Sequence, residues 1–102
     1  MFQPLNGPSL QDNAAVTDSV VFRVKSGGSE LAERNVVTIY PLDGSIWVFF
    51  GDGINTPSAA NVKSKGFFHP IGSLRSYEAA TTQEIYIVAD TGTVDVRFAE
   101  RA

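Results

Sequence analysis

The sequence predicts an all-β protein, an antiparallel and jelly-roll-like β-sandwich of about seven strands with an extended N-terminal arm. Three observations predict it. Short runs of period-two alternation recur along the chain, as in Val94-Asp95-Val96-Arg97-Phe98. Turn signals such as Asp43-Gly44, Gly51-Asp52-Gly53 and Asp90-Thr91-Gly92 separate those runs. No apolar pattern of helical period is long enough to compete.

Residues 1–13 carry Pro4, Gly7 and Pro8 among polar neighbours. Proline lacks a backbone donor and glycine resists regular structure, so this stretch is predicted to be an arm, with the β-sandwich domain spanning residues 14–102. Such an arm either drapes over its own surface or docks on a neighbouring subunit, with Phe2, Leu5 and Leu10 as its anchors. In residues 16–26, Val20, Phe22 and Val24 alternate with Val21, Arg23 and Lys25, predicting a strand with one wet face. Ser26-Gly27-Gly28-Ser29 breaks it, and residues 30–34 have room for one helical turn.

Residues 35–42 are rich in β-branched side chains and predict the next strand. Asp43-Gly44 then predicts a hairpin into Ile46-Trp47-Val48-Phe49-Phe50, and Pro41 leaves a longer loop open. That apolar run exceeds what one strand face holds. Ile46, Val48 and Phe50 point one way and Trp47 and Phe49 the other, so both faces need cover. A second sheet, a loop or another subunit would supply it. Residues 54–65 are polar, predicting a long loop with a helical turn over residues 58–61. Gly66-Phe67-Phe68 predicts a short apolar return, and residues 73–79 a weak strand. Residues 84–89 predict a strand with Ile85 and Ile87 opposite Tyr86 and Val88. A hairpin loop over residues 90–93, with Gly92 left-handed, leads to a last strand with Val94, Val96 and Phe98 inward.

A single domain of 102 residues buries roughly 60–70% of its unfolded surface, enough for one core without staples. Zero cysteines exclude disulfides and thiolate metal sites. A net charge of -3, with 8 Lys and Arg dispersed along the chain, argues against nucleic-acid binding. No stretch approaches the roughly 20 apolar residues of a membrane helix. Residues 1–4 lack the basic start of a secretory signal, which predicts a protein made in the cytoplasm.

The residues offer no catalytic constellation, no metal set and no cofactor motif. One histidine, His69, makes neither a multi-histidine site nor an oriented general base, and is predicted to be structural or on the surface. Asp43 and Asp52 stand roughly 25–30 Å apart in extended chain, too far for a glycosidase pair, and are predicted turn residues. Gly51-Asp52-Gly53 lacks the lysine and helix of a phosphate loop. Most aromatics belong to the core; an exposed Trp47 and Phe49 patch would be a subunit interface or a sugar-stacking surface.

From Gly44 onward the order of parts resembles small β-sandwich structural proteins of tailed bacteriophages, of the capsid-decoration and head-associated kind. The parts are Gly44-Ser45-Ile46-Trp47-Val48-Phe49-Phe50-Gly51, a Ser/Thr-containing loop, Pro70-Ile71-Gly72-Ser73-Leu74, Ile85-Tyr86-Ile87-Val88-Ala89 and a terminal Thr91-Gly92-Thr93-Val94. Pro70-Ile71-Gly72 stands where such proteins run Pro-Gly. The resemblance, over residues 35–100, implies a virion component made in the host cytoplasm and no catalytic residues. It implies a homo-oligomer, here expected to be a trimer, that binds the major capsid protein or other virion proteins. Phe2, Leu5, Leu10, Trp47, Phe49 and Ile54 are the candidate contacts. A head–tail or tail component, or a carbohydrate- or receptor-binding module, is the alternative.

Overall fold

The computed structural model describes residues 9–25, 34–80 and 82–101, with Ser9 and Leu10 described in backbone alone. These residues form β1 (Ser9–Thr17), β2 (Phe22–Arg23), β3 (Val36–Pro41), β4 (Ile46–Phe50), α1 (Ala59–Lys65), β5 (Phe67–His69), β6 (Arg75–Glu78), β7 (Ile85–Ala89) and β8 (Thr93–Arg101). The strands make two four-stranded antiparallel sheets, sheet I in the order β1-β8-β3-β6 and sheet II in the order β2-β7-β4-β5. First pairs with last, second with seventh, third with sixth and fourth with fifth. That is one long hairpin rolled over into two layers, the jelly-roll wiring.

Alternation explains why the layers close. Val37 and Ile39 of β3, Ile46 and Val48 of β4, Ile85, Ile87 and Ala89 of β7, and Val94, Val96 and Phe98 of β8 all face one buried cluster between the sheets. Each of those strands presents every second residue inward, as a period of two requires. Phe22 and Phe98 close the cluster with ring centroids 5.7 Å apart.

Three sequence expectations change. The described residues form eight strands, the extra one being β1, which takes residues 9–13 out of the predicted arm. An edge strand needs only a modest apolar face, and Ala14 and Val16 supply it while Gln11 and Asn13 stay exposed. Residues 1–8, with Phe2 and Leu5, lie outside the described residues, as do residues 26–33, where a helical turn is predicted.

Second, the run over residues 16–26 is divided between the sheets. The Val20 amide donates to Thr17 Oγ1 at 3.1 Å, and Asp18 and Gly92 exchange two hydrogen bonds of 3.0 Å, so the chain turns there and Val20 is left exposed.

Third, neither predicted hairpin is one. β3 and β4 lie in different sheets, as do β7 and β8, so Asp43-Gly44 and residues 90–93 are corners between layers. The Asp43 carboxylate accepts from the Asp95 amide at 2.8 Å, fastening one corner to β8. Gly92 has the left-handed φ expected of it, 65°.

Candidate functional site

Both faces of β4 are covered from within the chain. Ile46, Val48 and Phe50 meet sheet I, whereas Trp47 and Phe49 pack with Val62, Tyr86 and Val88 beneath α1. The helix starts where Ser58 accepts from the Asn61 amide at 3.2 Å, a side-chain cap that the sequence prediction reduced to a single turn. Trp47 Nε1 donates to Asp90 Oδ1 at 2.9 Å, and Lys63 Nζ donates to the Asp90 carbonyl at 3.1 Å, so one residue anchors both strand and helix. Trp47 and Phe49 are therefore half-buried intramolecular contacts. Ile54 stays 85% exposed on the loop before α1, and the Leu10 side chain lies outside the described residues.

Apolar exposure concentrates elsewhere, where α1 gives way to β5. A Cβ on Gly66 would stand 2.3 Å from the Val62 carbonyl oxygen and 2.6 Å from that of Val48, so only glycine lets the chain pass this closely from helix to strand. Phe67 and Phe68 follow, then a turn bearing Ile71 and Leu74, and all four side chains are exposed, Phe67 to 63%. The other large exposed apolar residues among those described, Val20, Leu42 and Ile54, are scattered. Phe67 meets Phe50 at a centroid distance of 6.1 Å and Phe50 meets Tyr77 at 5.7 Å, so an aromatic row runs from between the sheets to the open edge. On the opposite face Phe68 packs edge-on to Trp47 at 5.1 Å. Arg75 Nη1 donates to the Phe68 carbonyl at 3.1 Å, occupying an acceptor of this edge strand.

His69, wholly buried, forms the inner end of the row. Its Nε2 lies 2.8 Å from the Ser73 carbonyl, which can only accept, so Nε2 carries the proton. Nδ1 of the neutral ring then accepts from the Tyr77 hydroxyl at 3.0 Å. Burial holds its pKa below the ordinary value; the Ser73 carbonyl opposes this and the Arg75 charge reinforces it. Burial also raises the Tyr77 pKa, against the pull of Arg75. With both ring nitrogens engaged inside the fold, this pair serves as structure.

A second polar group lies at the far end of sheet II. Glu84 accepts from the Tyr86 hydroxyl at 2.9 Å and the Gly53 amide at 3.1 Å, and pairs with Arg23 at 3.1 Å. Burial and Glu84 raise the Tyr86 pKa. Asp52 accepts from the Ile54 and Asn55 amides, which lower its pKa, making it the turn residue its position predicts. These contacts pin the loop that leads into α1.

No family model matches this sequence, and no curated protein does. Among solved structures, a crystal structure of FeII HppE superposes with a TM-score of 0.51 at 18% identity. The match covers 90% of this chain and 42% of that one, so this protein spans less than half its length. At that identity the likeness concerns the fold alone. The described residues do not fit an iron site. No group of three or more His, Cys, Asp or Glu among the described residues is placed to hold a metal, and the chain's one histidine has both nitrogens committed.

Proposed function

We propose that this protein is a non-enzymatic structural component of a bacteriophage virion, a jelly-roll module that cements or decorates the capsid by docking as a homo-oligomer on the major capsid protein. The observation that carries the reading is the gathering of exposed apolar side chains at one edge, Phe67, Phe68, Ile71 and Leu74, beside a core with no chemical constellation in it. Exposed apolar surface of this kind marks interaction sites. The order of parts that resembles phage head proteins supplies the virion half of the proposal. Trp47, the main motive for a sugar-stacking reading of β4, sits under α1 and gives that reading no support.

Co-sedimentation with expanded capsids tests the proposal. Phe67→Ser combined with Leu74→Ser should abolish binding while leaving the circular dichroism spectrum unchanged, because neither side chain is buried. Removing residues 1–8, which precede β1, separates a contribution of the arm from that of the edge. Undiminished capsid binding by the double variant would sink the edge assignment. A wild-type protein that binds no capsid, portal or tail particle would sink the virion reading.

A further inference from the structure

The outward face of sheet I carries a pit centred on Ala99. The register places Ala99 of β8 opposite Thr38 of β3 on one side and Gln11 of β1 on the other. Two residues along β8 in either direction come Arg97, beside Tyr40 and Asn13, and Arg101, beside Val36 and Ser9. Alternation puts these positions on the same face. The smallest side chain of the group thus lies at its centre, ringed by larger ones, and is only 8% exposed because they stand above it. The depression has a volume of about 390 Å³ and extends to Leu74 beyond Tyr40. That matches the small end of ligand pockets, roughly 300–1,000 Å³.

Its charge runs against that of the protein. The chain carries -3 overall, yet this concavity is bordered by two arginines. The other arginines have partners within the chain: Arg23 pairs with Glu84, Arg34 with Glu100, and Arg75 donates to the Phe68 carbonyl. Arg97 has only Asp95, at a loose 3.8 Å and largely in solvent, and Arg101 makes no ion pair among the described residues. Asp12 borders the pit too, its Oδ1 accepting from the Asn13 amide at 2.8 Å, so two cations there stand against one carboxylate. The backbone positions of Arg97 and Arg101 are four residues, roughly 13 Å, apart along the strand, with Ala99 between them. Around Ala99 are an aromatic ring, a hydroxyl and a carboxamide: Tyr40, Thr38 and Gln11.

We infer that this pit is a binding site for an acidic sugar, a hydroxylated ring bearing a carboxylate, held as one unit or as two linked ones. An arginine fork takes the carboxylate in paired hydrogen bonds, Gln11 offers a donor and an acceptor to ring hydroxyls, and the Thr38 hydroxyl, 3.0 Å from Ser76 Oγ, keeps a further lone pair for one. Tyr40 and Leu74 form the apolar wall against which a sugar face packs. The site meets the β5 edge at Leu74, which borders both, and its occupation does not require the virion reading.

The test uses the full-length chain and three probes at equal concentration: galacturonic acid, a galacturonate trisaccharide and a neutral glucose trisaccharide. Amide spectra of isotope-labelled protein should shift at Thr38, Tyr40, Arg97, Ala99 and Arg101 with the acidic probes and not with the neutral one. Tighter binding of the trisaccharide identifies a polysaccharide chain as the source, and equal binding identifies a free monosaccharide. Ala99→Leu fills the pit without removing a polar group, and Arg97→Gln removes one charge at an exposed position. Each should weaken binding at least tenfold at an unchanged melting temperature. Four outcomes overturn the assignment: no shift with any probe, shifts centred elsewhere, equal response to the neutral trisaccharide, or full affinity in Arg97→Gln. A glutamate tripeptide that binds as tightly as the acidic sugars also overturns it, reducing the pit to a plain positive patch.

Discussion

Arg34 Nη1 and Glu100 Oε2 meet at 2.8 Å with both side chains wholly removed from solvent. Arg34 also donates through Nε to the Ala79 carbonyl at 3.1 Å and through Nη2 to the Ala80 and Gln83 carbonyls. One guanidinium thereby fastens the end of β8 to the segment between β6 and β7. Glu100→Gln removes a negative charge held 2.8 Å from the buried Arg34 guanidinium and should cost about 3–5 kcal/mol, read from urea unfolding. Arg34→Met with Glu100→Leu should recover part of that loss, since a paired apolar replacement strands no charge.

Gly44 sits at the corner between β3 and β4, where a Cβ would come within 2.5 Å of Val94 Cγ2. Gly44→Ala should therefore destabilise by about 1–3 kcal/mol through overpacking. Val94→Ala in the same chain makes room, so the double variant should lose less than the sum of the two single changes. Thermal melts of the four proteins measure that coupling.

The cover over β4 is testable through the chain's single tryptophan. Val62 is wholly buried between α1 and sheet II, and Val62→Ala should cost about 2 kcal/mol. Ser58→Ala removes the helix cap and should cost about 1 kcal/mol. If α1 covers Trp47, each change should move its emission to longer wavelength before the global unfolding transition. An unshifted spectrum in both variants would falsify that cover.

His69 gives stability a defined dependence on pH. Its folded pKa lies below the ordinary 6.5, so the unfolded chain takes up the proton first as pH falls. The contribution is fully present above pH 6.5 and is lost as pH falls through the lowered folded value. Urea midpoints measured from pH 7.5 down to 5 should decline in the wild type and decline less in His69→Gln. Tyr77→Phe removes the donor to Nδ1 and should cost about 1 kcal/mol at pH 7.5.

The sequence revealed what depends on a residue and its near neighbours. Val94, Val96 and Phe98 alternate with Asp95 and Arg97, and they face inward as that pattern demands. It was silent on pairing. Asp43-Gly44 reports that the chain bends, and the same dipeptide serves a hairpin or a corner between layers; β8, fifty residues later, decides which. β1 escaped notice because Gln11, Asp12 and Asn13 are polar, and an edge strand tolerates that. Phe67 and Phe68 carried no mark of exposure, since an aromatic pair reads the same in a core and on a rim. The Ala99 pit is invisible in one dimension because its walls come from β1, β3 and β8, whose registers only the folded sheet defines.

The place of β8 between β1 and β3 has a consequence for how the protein is made. Sheet I lacks one of its two inner strands until the other described strands have been made. Among the described strands β1 is made first and pairs with β8 alone, so it waits for that partner through the synthesis of the strands between them. Among the described strands β4 and β5, joined by α1, are the one pair consecutive along the chain that also pairs in a sheet. Acquisition of structure should start there and finish in a late, slow step when β8 inserts, as expected of a topology ruled by distant pairings.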